Sequence, residues 1–178
     1  CYTMARDTRG KDKNLQNRTA ELSRETGETK VSVDIDLDGQ GSYKLDTGNG
    51  MFDHLLAQLS RHGLIDLDLF ASGDVEVGWH HIVEDTAIVL GRALHQAVGD
   101  GVGITRMAHA VVPLDEALAL VAIDFGGRGY AVIDAEISDT GLGDLPADLV
   151  RHFLDTLARE GRFNLHVRLM AGSDNHHK

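Results

Sequence analysis

Val31, Val33, Ile35 and Leu37 alternate with polar residues, the period of a strand with one buried face. Asp38-Gly39 is a turn signal, and Tyr43 and Leu45 predict a returning strand. Phe52, Leu55, Leu56 and Leu59 then recur at helical spacing and stop near Gly63. Ile65, Leu67 and Leu69 alternate again. Val83, Ala87, Leu90, Leu94 and Val98 step by three or four, which predicts a helix from about His81 to Gly99. The second half opens with apolar runs at Ala110 to Leu114 and Ala117 to Ile123. Strands follow up to about Glu136, with a turn at Gly126-Gly127. A helix holds Leu149, Val150, Phe153, Leu154 and Leu157, and Phe163, Leu165, Val167 and Leu169 alternate as a last strand.

The two halves overlay. His54-Leu55-Leu56 through Leu59, Arg61 and Gly63 matches His152-Phe153-Leu154 through Leu157, Arg159 and Gly161, and both His-to-Gly distances are nine residues. Each half ends in a histidine pair, His80-His81 and His176-His177, placed 26 and 24 residues after the helical histidine. Amphipathic patterns match easily by chance, but polar residues in the same slots do not, and duplication is the reading. Alternating strands with helices between them predict an α+β fold of two similar halves, each a two-layer unit of a sheet backed by helices on one face. The repeats run from about 29 to 102 and from 108 to 178.

Residues 1–28 differ from the rest. Arg6, Arg9, Lys11, Lys13, Arg18 and Arg24 sit there without apolar periodicity. Most of this stretch reads as a mobile arm or cloning remnant, with the domain beginning at residue 18. The formal charge is −11, with 17 Lys+Arg against 28 Asp+Glu, which argues against broad nucleic-acid or anionic-membrane binding. Without residues 1–30 the balance is 10 against 23, so an anionic ligand depends on local arginines and cations. One cysteine, at position 1, excludes an internal disulfide and a cysteine metal site. No apolar run approaches the ~20 residues of a membrane span. These features predict a soluble protein of a reducing compartment.

Ten histidines are many for this length. His80-His81-Ile82-Val83-Glu84-Asp85 opens the long helix, where neighbours i and i+1 point about 100° apart and i+3 and i+4 share a face. His80 and His81 therefore suit two different metal centres, and Glu84 can pair with either. The candidate ligands are His54, His80, His81, Glu84, His152, His176 and His177, a mixed imidazole and carboxylate set suited to Mn, Fe or Zn. His62, His95, His109 and His166 are left as surface, core or supporting residues.

These residues, taken together, resemble the imidazoleglycerol-phosphate dehydratase family. The resemblance runs from about residue 18 to the end. It rests on Arg24 and Glu28, Asp36-Leu37-Asp38-Gly39, Phe52-Asp53-His54-Leu55-Leu56, Arg61-His62-Gly63 and His80-His81-Ile82-Val83-Glu84-Asp85. It continues through Gly103-Ile104-Thr105-Arg106, Pro113-Leu114-Asp115-Glu116-Ala117, Gly127-Arg128, Leu165-His166-Val167-Arg168 and Asn175-His176-His177.

The resemblance implies the ribosomal S5 domain 2-like fold and a hydro-lyase of histidine biosynthesis in the cytoplasm, with a plastid as the alternative compartment. The implied reaction turns D-erythro-imidazole-glycerol phosphate into imidazole-acetol phosphate. It implies two Mn²⁺ ions: His54, His81, Glu84 and His176 on one, and His80, His152 and His177 on the other. Between them the substrate's imidazole is held as imidazolate, the electron sink for loss of a non-acidic C–H proton. Glu28 matches the family's acid/base, with His54 and Glu84 in the catalytic set. Gln58, Arg61 and His62 match a substrate-facing helix, and Arg106 and Arg128 match phosphate contacts. Asp115 and Glu116 are read as structural or as neighbours of the ligands. The family shares its sites between subunits, in 24-subunit assemblies of trimers, with no nucleic-acid or membrane partner.

Two departures stand out. The second His-His-x-x-Glu motif would place its Glu two residues past Lys178, which reads as a truncation that weakens the second ion. Gly78-Trp79 stands before His80 where the family has acidic residues. Two rival readings of the histidines are a dinuclear phosphoesterase, which would lean on more aspartate ligands, and a protein whose metals only join subunits.

Overall fold

The computed structural model describes residues 18–138 and 142–178. The first half runs β1 (Thr19–Glu25), β2 (Thr29–Asp36), β3 (Tyr43–Asp46), α1 (Gly50–Gly63), β4 (Asp66–Gly73), a short 3₁₀ turn (Val75–Val77) and α2 (His80–Val98). The second runs β5 (Met107–Leu114), β6 (Ala117–Asp124), β7 (Tyr130–Asp134), α3 (Ala147–Glu160) and β8 (Asn164–Ala171). Each half forms a four-stranded sheet, ordered β1-β2-β4-β3 and β5-β6-β8-β7. In both, the first two pairings are antiparallel and the last is parallel. The fold is α+β with two halves of one topology.

Just after the expected domain start at residue 18, Thr19–Glu25 is a strand that periodicity did not reveal, paired along its whole length with β2. Its alternation was hidden because Ala20 and Leu22 are the only apolar residues on its inner face, with Arg24 completing that face. Residues 1–17 lie outside the described residues. The hairpin expected at Asp38-Gly39 is corrected. β3 does not return against β2 but runs parallel to β4, with Tyr43 opposite Leu67 and Leu45 opposite Leu69. Asp66 makes this crossing, because its Oδ1 accepts the backbone N–H groups of Gln40 and Ser42 at 2.8 Å each.

Val31, Val33, Ile35, Leu67, Leu69 and Ala71 form the inner face of the first sheet and are at most 3% exposed. Ile82, Val83, Ala87, Leu90 and Ala93 of α2 cover them. Burial of such side chains contributes about 1.5–3 kcal/mol each, so this seam dominates the core. α2 also packs on α3, and α3 lies over β7 and β8. The two helical layers thus face each other between the sheets. At Gly91 a Cβ would come within 2.9 Å of Leu157 O and Gly161 N, so a glycine lets α2 and α3 approach this closely. β5 is an edge strand exposed along its whole length, which suits Pro113.

The helices stop where the glycines stand: α1 ends at Gly63, and α3 ends at Glu160 with Gly161 as its cap. Gly63 and Gly161 are not the left-handed residues; Leu64 (φ 55) and Arg162 (φ 53) are. A Cβ at Gly161 would lie 2.5 Å from Phe163 Cε1, and one at Gly63 would lie 3.2 Å from Ile65 Cδ1. Close approach of the next aromatic or aliphatic side chain, not a special φ, selects glycine there.

Candidate functional site

The helix starts place the histidines. At α1, the Asn49 side chain accepts the Phe52 N–H at 2.9 Å, and Asp53 Oδ1 accepts both the N–H and the hydroxyl of Thr47, at 2.9 and 2.7 Å. This cap fixes the first turn and presents His54 on the exposed side. Phe52 meets Phe153 edge-to-face at 5.3 Å, which ties α1 to α3 beside His54 and His152.

Histidines from opposite halves then pair. The His80 ring of α2 stacks on His152 of α3 at 4.9 Å, and His54 of α1 stacks on His176 after β8 at 5.5 Å. Glu84, one turn along α2 from His80, reaches the Nε2 edge of both rings. Its carboxylate is 3.8 Å from His80 Nε2 and 3.4 Å from His152 Nε2. The ligand atoms of His80, Glu84 and His152 all lie within 4.8 Å of one another. His152 Nε2 is buried and makes no hydrogen bond. A buried imidazole nitrogen beside a carboxylate and a second imidazole, with no donor or acceptor satisfying it, fits a divalent cation bound at about 2.0–2.2 Å. This arrangement differs from the expected grouping. Within one chain Glu84 stands with His80 and His152, not with His54, His81 and His176, because the i, i+4 relation puts it on the face of His80.

His81 and His177 turn elsewhere. His81 Nδ1 lies 3.2 Å from Asp74 Oδ1 and 3.8 Å from Glu28 Oε2. The Asp74 bond, and then the Glu28 and Glu84 charges, raise the His81 pKa above its ordinary value. His177 Nδ1–H donates to Glu116 Oε2 at 2.8 Å, and Asp115 lies 3.7 Å from Nε2. Glu116 also accepts the backbone N–H groups of Ser173 and Asp174 at 3.2 and 2.8 Å. The His177 bond foremost, with these N–H groups, pulls the Glu116 carboxyl down to about 2, while the same bond raises His177.

Behind this wall Asp85 is 7% exposed. It accepts Arg24 Nη1 at 2.9 Å and the Thr29 hydroxyl, locking β1 and β2 onto α2 on either side of Glu28. Sequence reasoning missed Asp74 and did not single out Asp85. Asp85 was visible inside the His-His-x-x-Glu-Asp run, whereas Asp74 carried no signal beyond a turn.

The expected substrate residues are more scattered. Gln58 and His62 pair with each other on α1 at 3.1 Å, and Arg61 is exposed nearby. Arg106 forks onto Asp124 at 2.7 and 3.0 Å, and Arg128 is exposed on the β6–β7 turn. None of these five contacts the His80–Glu84–His152 cluster in the described hydrogen bonds and ion pairs.

Fold and site together define a class: an α+β protein of two halves with one topology, with histidines of both halves paired and a His80–Glu84–His152 group whose donor set suits a cation. Residues 47–178 match the imidazoleglycerol-phosphate dehydratase family. An imidazoleglycerol-phosphate dehydratase of Dehalococcoides mccartyi is 51% identical over 164 residues, which covers 92% of this chain and 82% of that protein. One from Chloroflexus aurantiacus is 48% identical over 90% of this chain and 78% of its own length. The crystal structure of the Staphylococcus aureus imidazoleglycerol-phosphate dehydratase superposes with a TM-score of 0.80 at 29% identity, covering 89% of this chain and 88% of that chain. That from Pyrococcus furiosus, solved in complex with (S)-C348, gives 0.75 at 31% identity, covering 88% and 83%. The chain belongs to the imidazoleglycerol-phosphate dehydratase family, a family of hydro-lyases. No helix among the described residues is long and apolar enough to cross a membrane.

Proposed function

We propose that this chain dehydrates D-erythro-imidazole-glycerol phosphate to imidazole-acetol phosphate in histidine biosynthesis, in the cytoplasm, using two Mn²⁺ ions. The carrying observation is the buried, unbonded Nε2 of His152 facing Glu84 and His80. His80, Glu84 and His152 would hold one ion; His54 and His176 are the start of a second set. His81 and His177, whose rings stand edge-on to His80 and His176 and outside both stacked pairs, are suited to complete sites on neighbouring copies, which supports self-association through trimers into a larger assembly. The bound cations would supply positive charge at the two nitrogens of the substrate ring, which lets that ring accept electrons.

The chain's own residues supply the rest. The proton to be removed sits on the carbon bearing the middle hydroxyl, and no carbonyl activates it. Glu28 is the group for that transfer: it is exposed, it follows β1, and its Oε2 lies near the His81 ring. The hydroxyl next to the ring leaves as water, and the resulting enol becomes the ketone of the product. Arg24, Thr29 and Asp85 hold the Glu28 loop against α2. Asp74 holds His81 by Nδ1 and so leaves Nε2 outward as a ligand atom. Arg128 and the outer Nη1 of Arg106 suit the phosphate, while Nε and Nη2 of Arg106 stay on Asp124. Gln58, Arg61 and His62 line the exposed α1 face next to His54.

The test is turnover of imidazole-glycerol phosphate with added Mn²⁺, with His152→Ala as control and product identified by mass. Formation of imidazole-acetol phosphate that is lost in the control is expected. Phosphate release instead would point to a phosphoesterase, and metal uptake with no product would leave only a metal-linked assembly.

A further inference from the structure

Strand register maps one half onto the other. Thr19 pairs with Asp36 as Met107 pairs with Asp124, an offset of 88 residues. The same offset carries buried Thr29 onto buried Ala117, and therefore Glu28 onto Glu116. Both glutamates are the last residue of the turn between the first two strands of their sheets, Thr26 to Glu28 in one and Asp115-Glu116 in the other. Both face the Nδ1 of the second histidine of a His-His pair, Glu28 at 3.8 Å from His81 and Glu116 at 2.8 Å from His177.

The halves solve the same problem differently. In the first, Asp74 takes the direct bond to His81 Nδ1 at 3.2 Å, and Glu28 stands off. In the second, the stretch between helical histidine and histidine pair is two residues shorter. Glu116 makes the histidine bond itself, and the Ser173 and Asp174 N–H groups pin its other oxygen.

We infer that Glu116 is a positioning residue: it holds the His177 ring by Nδ1 so that Nε2 is the atom offered to a cation, the task Asp74 performs for His81. Duplication thus produced two glutamates at one structural position and divided their work. Glu28, relieved by Asp74, is available for proton transfer; Glu116, tied to His177 and to the loop backbone, is not. An orienting carboxylate of this kind changes metal affinity by about 10- to 100-fold when removed. The inference rests on the metal reading proposed above.

The experiment uses the full chain, wild type and Glu116→Ala, Glu116→Gln, His177→Ala and the Glu116→Ala/His177→Ala double variant. Mn²⁺ binding is titrated calorimetrically. The tautomer of His177 in the metal-free chain is read from long-range ¹H–¹⁵N spectra of ¹⁵N-histidine protein. The expected result has His177 as the Nδ1–H form in wild type and in Glu116→Gln, and a mixture in Glu116→Ala. Affinity falls about 10- to 100-fold in Glu116→Ala, less in Glu116→Gln, and no further when Glu116→Ala is added to His177→Ala. Wild-type binding with an unchanged tautomer and affinity in Glu116→Ala overturns the inference, as does full additivity in the double variant. A wild-type chain that binds no Mn²⁺ overturns the metal reading itself and removes this role of Glu116 with it.

Discussion

Replacing Asp85 by alanine removes the one acceptor that binds Arg24 and Thr29 across three elements. Asp85 is 7% exposed, and its partner's side chain is 35% exposed. A hydrogen bond to a charged group contributes roughly 1.5–3 kcal/mol net, and stripping one partner from a fully buried ion pair costs about 3–5 kcal/mol. Water can reach the abandoned guanidinium through its exposed third, and the Thr29 hydroxyl keeps Thr26 as a partner at 3.2 Å. The expected cost therefore falls in the upper part of the first range, at about 2–3 kcal/mol. For a chain of this length that lowers the melting temperature by about 4–12 °C. Urea unfolding of Asp85→Ala, Arg24→Met and the double variant measures it, with the m-value held constant as the check on two-state behaviour. The cycle separates the pair from the cavity left by the carboxylate, and a coupling of about 1–3 kcal/mol is expected. Strict additivity, or a loss below about 0.5 kcal/mol for Asp85→Ala, would refute the lock between β1, β2 and α2.

Two further outcomes follow from the same geometry. The metal-free chain should draw stability from the Glu116–His177 bond only within a pH window. Glu116 is lowered to about 2 from an ordinary 4.5, so its share is complete above 4.5 and lost as pH falls toward 2. His177 is raised from 6.5, so its share is complete below 6.5 and lost as pH rises through its higher folded value. The urea midpoint difference between wild type and Glu116→Ala should therefore peak between pH 4.5 and 6.5 and shrink on both sides; a flat difference contradicts the pair. Gly161→Ala should cost about 1–3 kcal/mol through overpacking, since its Cβ meets both an aromatic carbon at 2.5 Å and the Leu157 carbonyl at 2.8 Å. Gly63→Ala should cost less, because it meets only the flexible end of Ile65 at 3.2 Å; equal losses in thermal melts would contradict that ranking.

Periodicity made most of the fold legible because the first sheet buries one face. Val31, Val33 and Ile35 alternate with Ser32 and Asp34, and the inner set is nearly fully buried. β1 was missed for the complementary reason: its inner face is Ala20, Leu22 and an arginine that finds a buried carboxylate rather than an apolar wall. The route of β3 was misread because turn chemistry at Asp38-Gly39 is local, whereas the strand's partner is set by Asp66, which lies far along the chain and holds the connection by its backbone N–H groups. That histidines of the two halves would matter together was readable from the adjacent pairs His80-His81 and His176-His177. Glu84 shares a face with His80 by their i, i+4 spacing, but the arrival of His152 beside them was not readable, since it depends on how α2 meets α3, where Gly91 allows the close approach.

The pairing of His80 with His152 and of His54 with His176 bears on why the duplicated chain keeps both halves. His54 and His152 occupy the same place in their halves, and so do His80 and His176. Each stacked pair takes one residue from each half. Neither half alone can assemble a pair, and the faces that bring them together are the helical layers, joined at Phe52–Phe153 and at the α2–α3 contact. The core and the site therefore share one seam. A substitution that loosens the helical seam should disturb both stacked histidine pairs at once, and with them both proposed cation sets, whereas one confined to an outer sheet face should touch neither. Beside that seam the halves differ in how a carboxylate meets the second histidine: Asp74 bonds His81 in one, and Glu116 bonds His177 in the other. On the proposed reading, symmetry in the backbone with asymmetry in the carboxylates orients two histidines alike while reserving one glutamate for the proton.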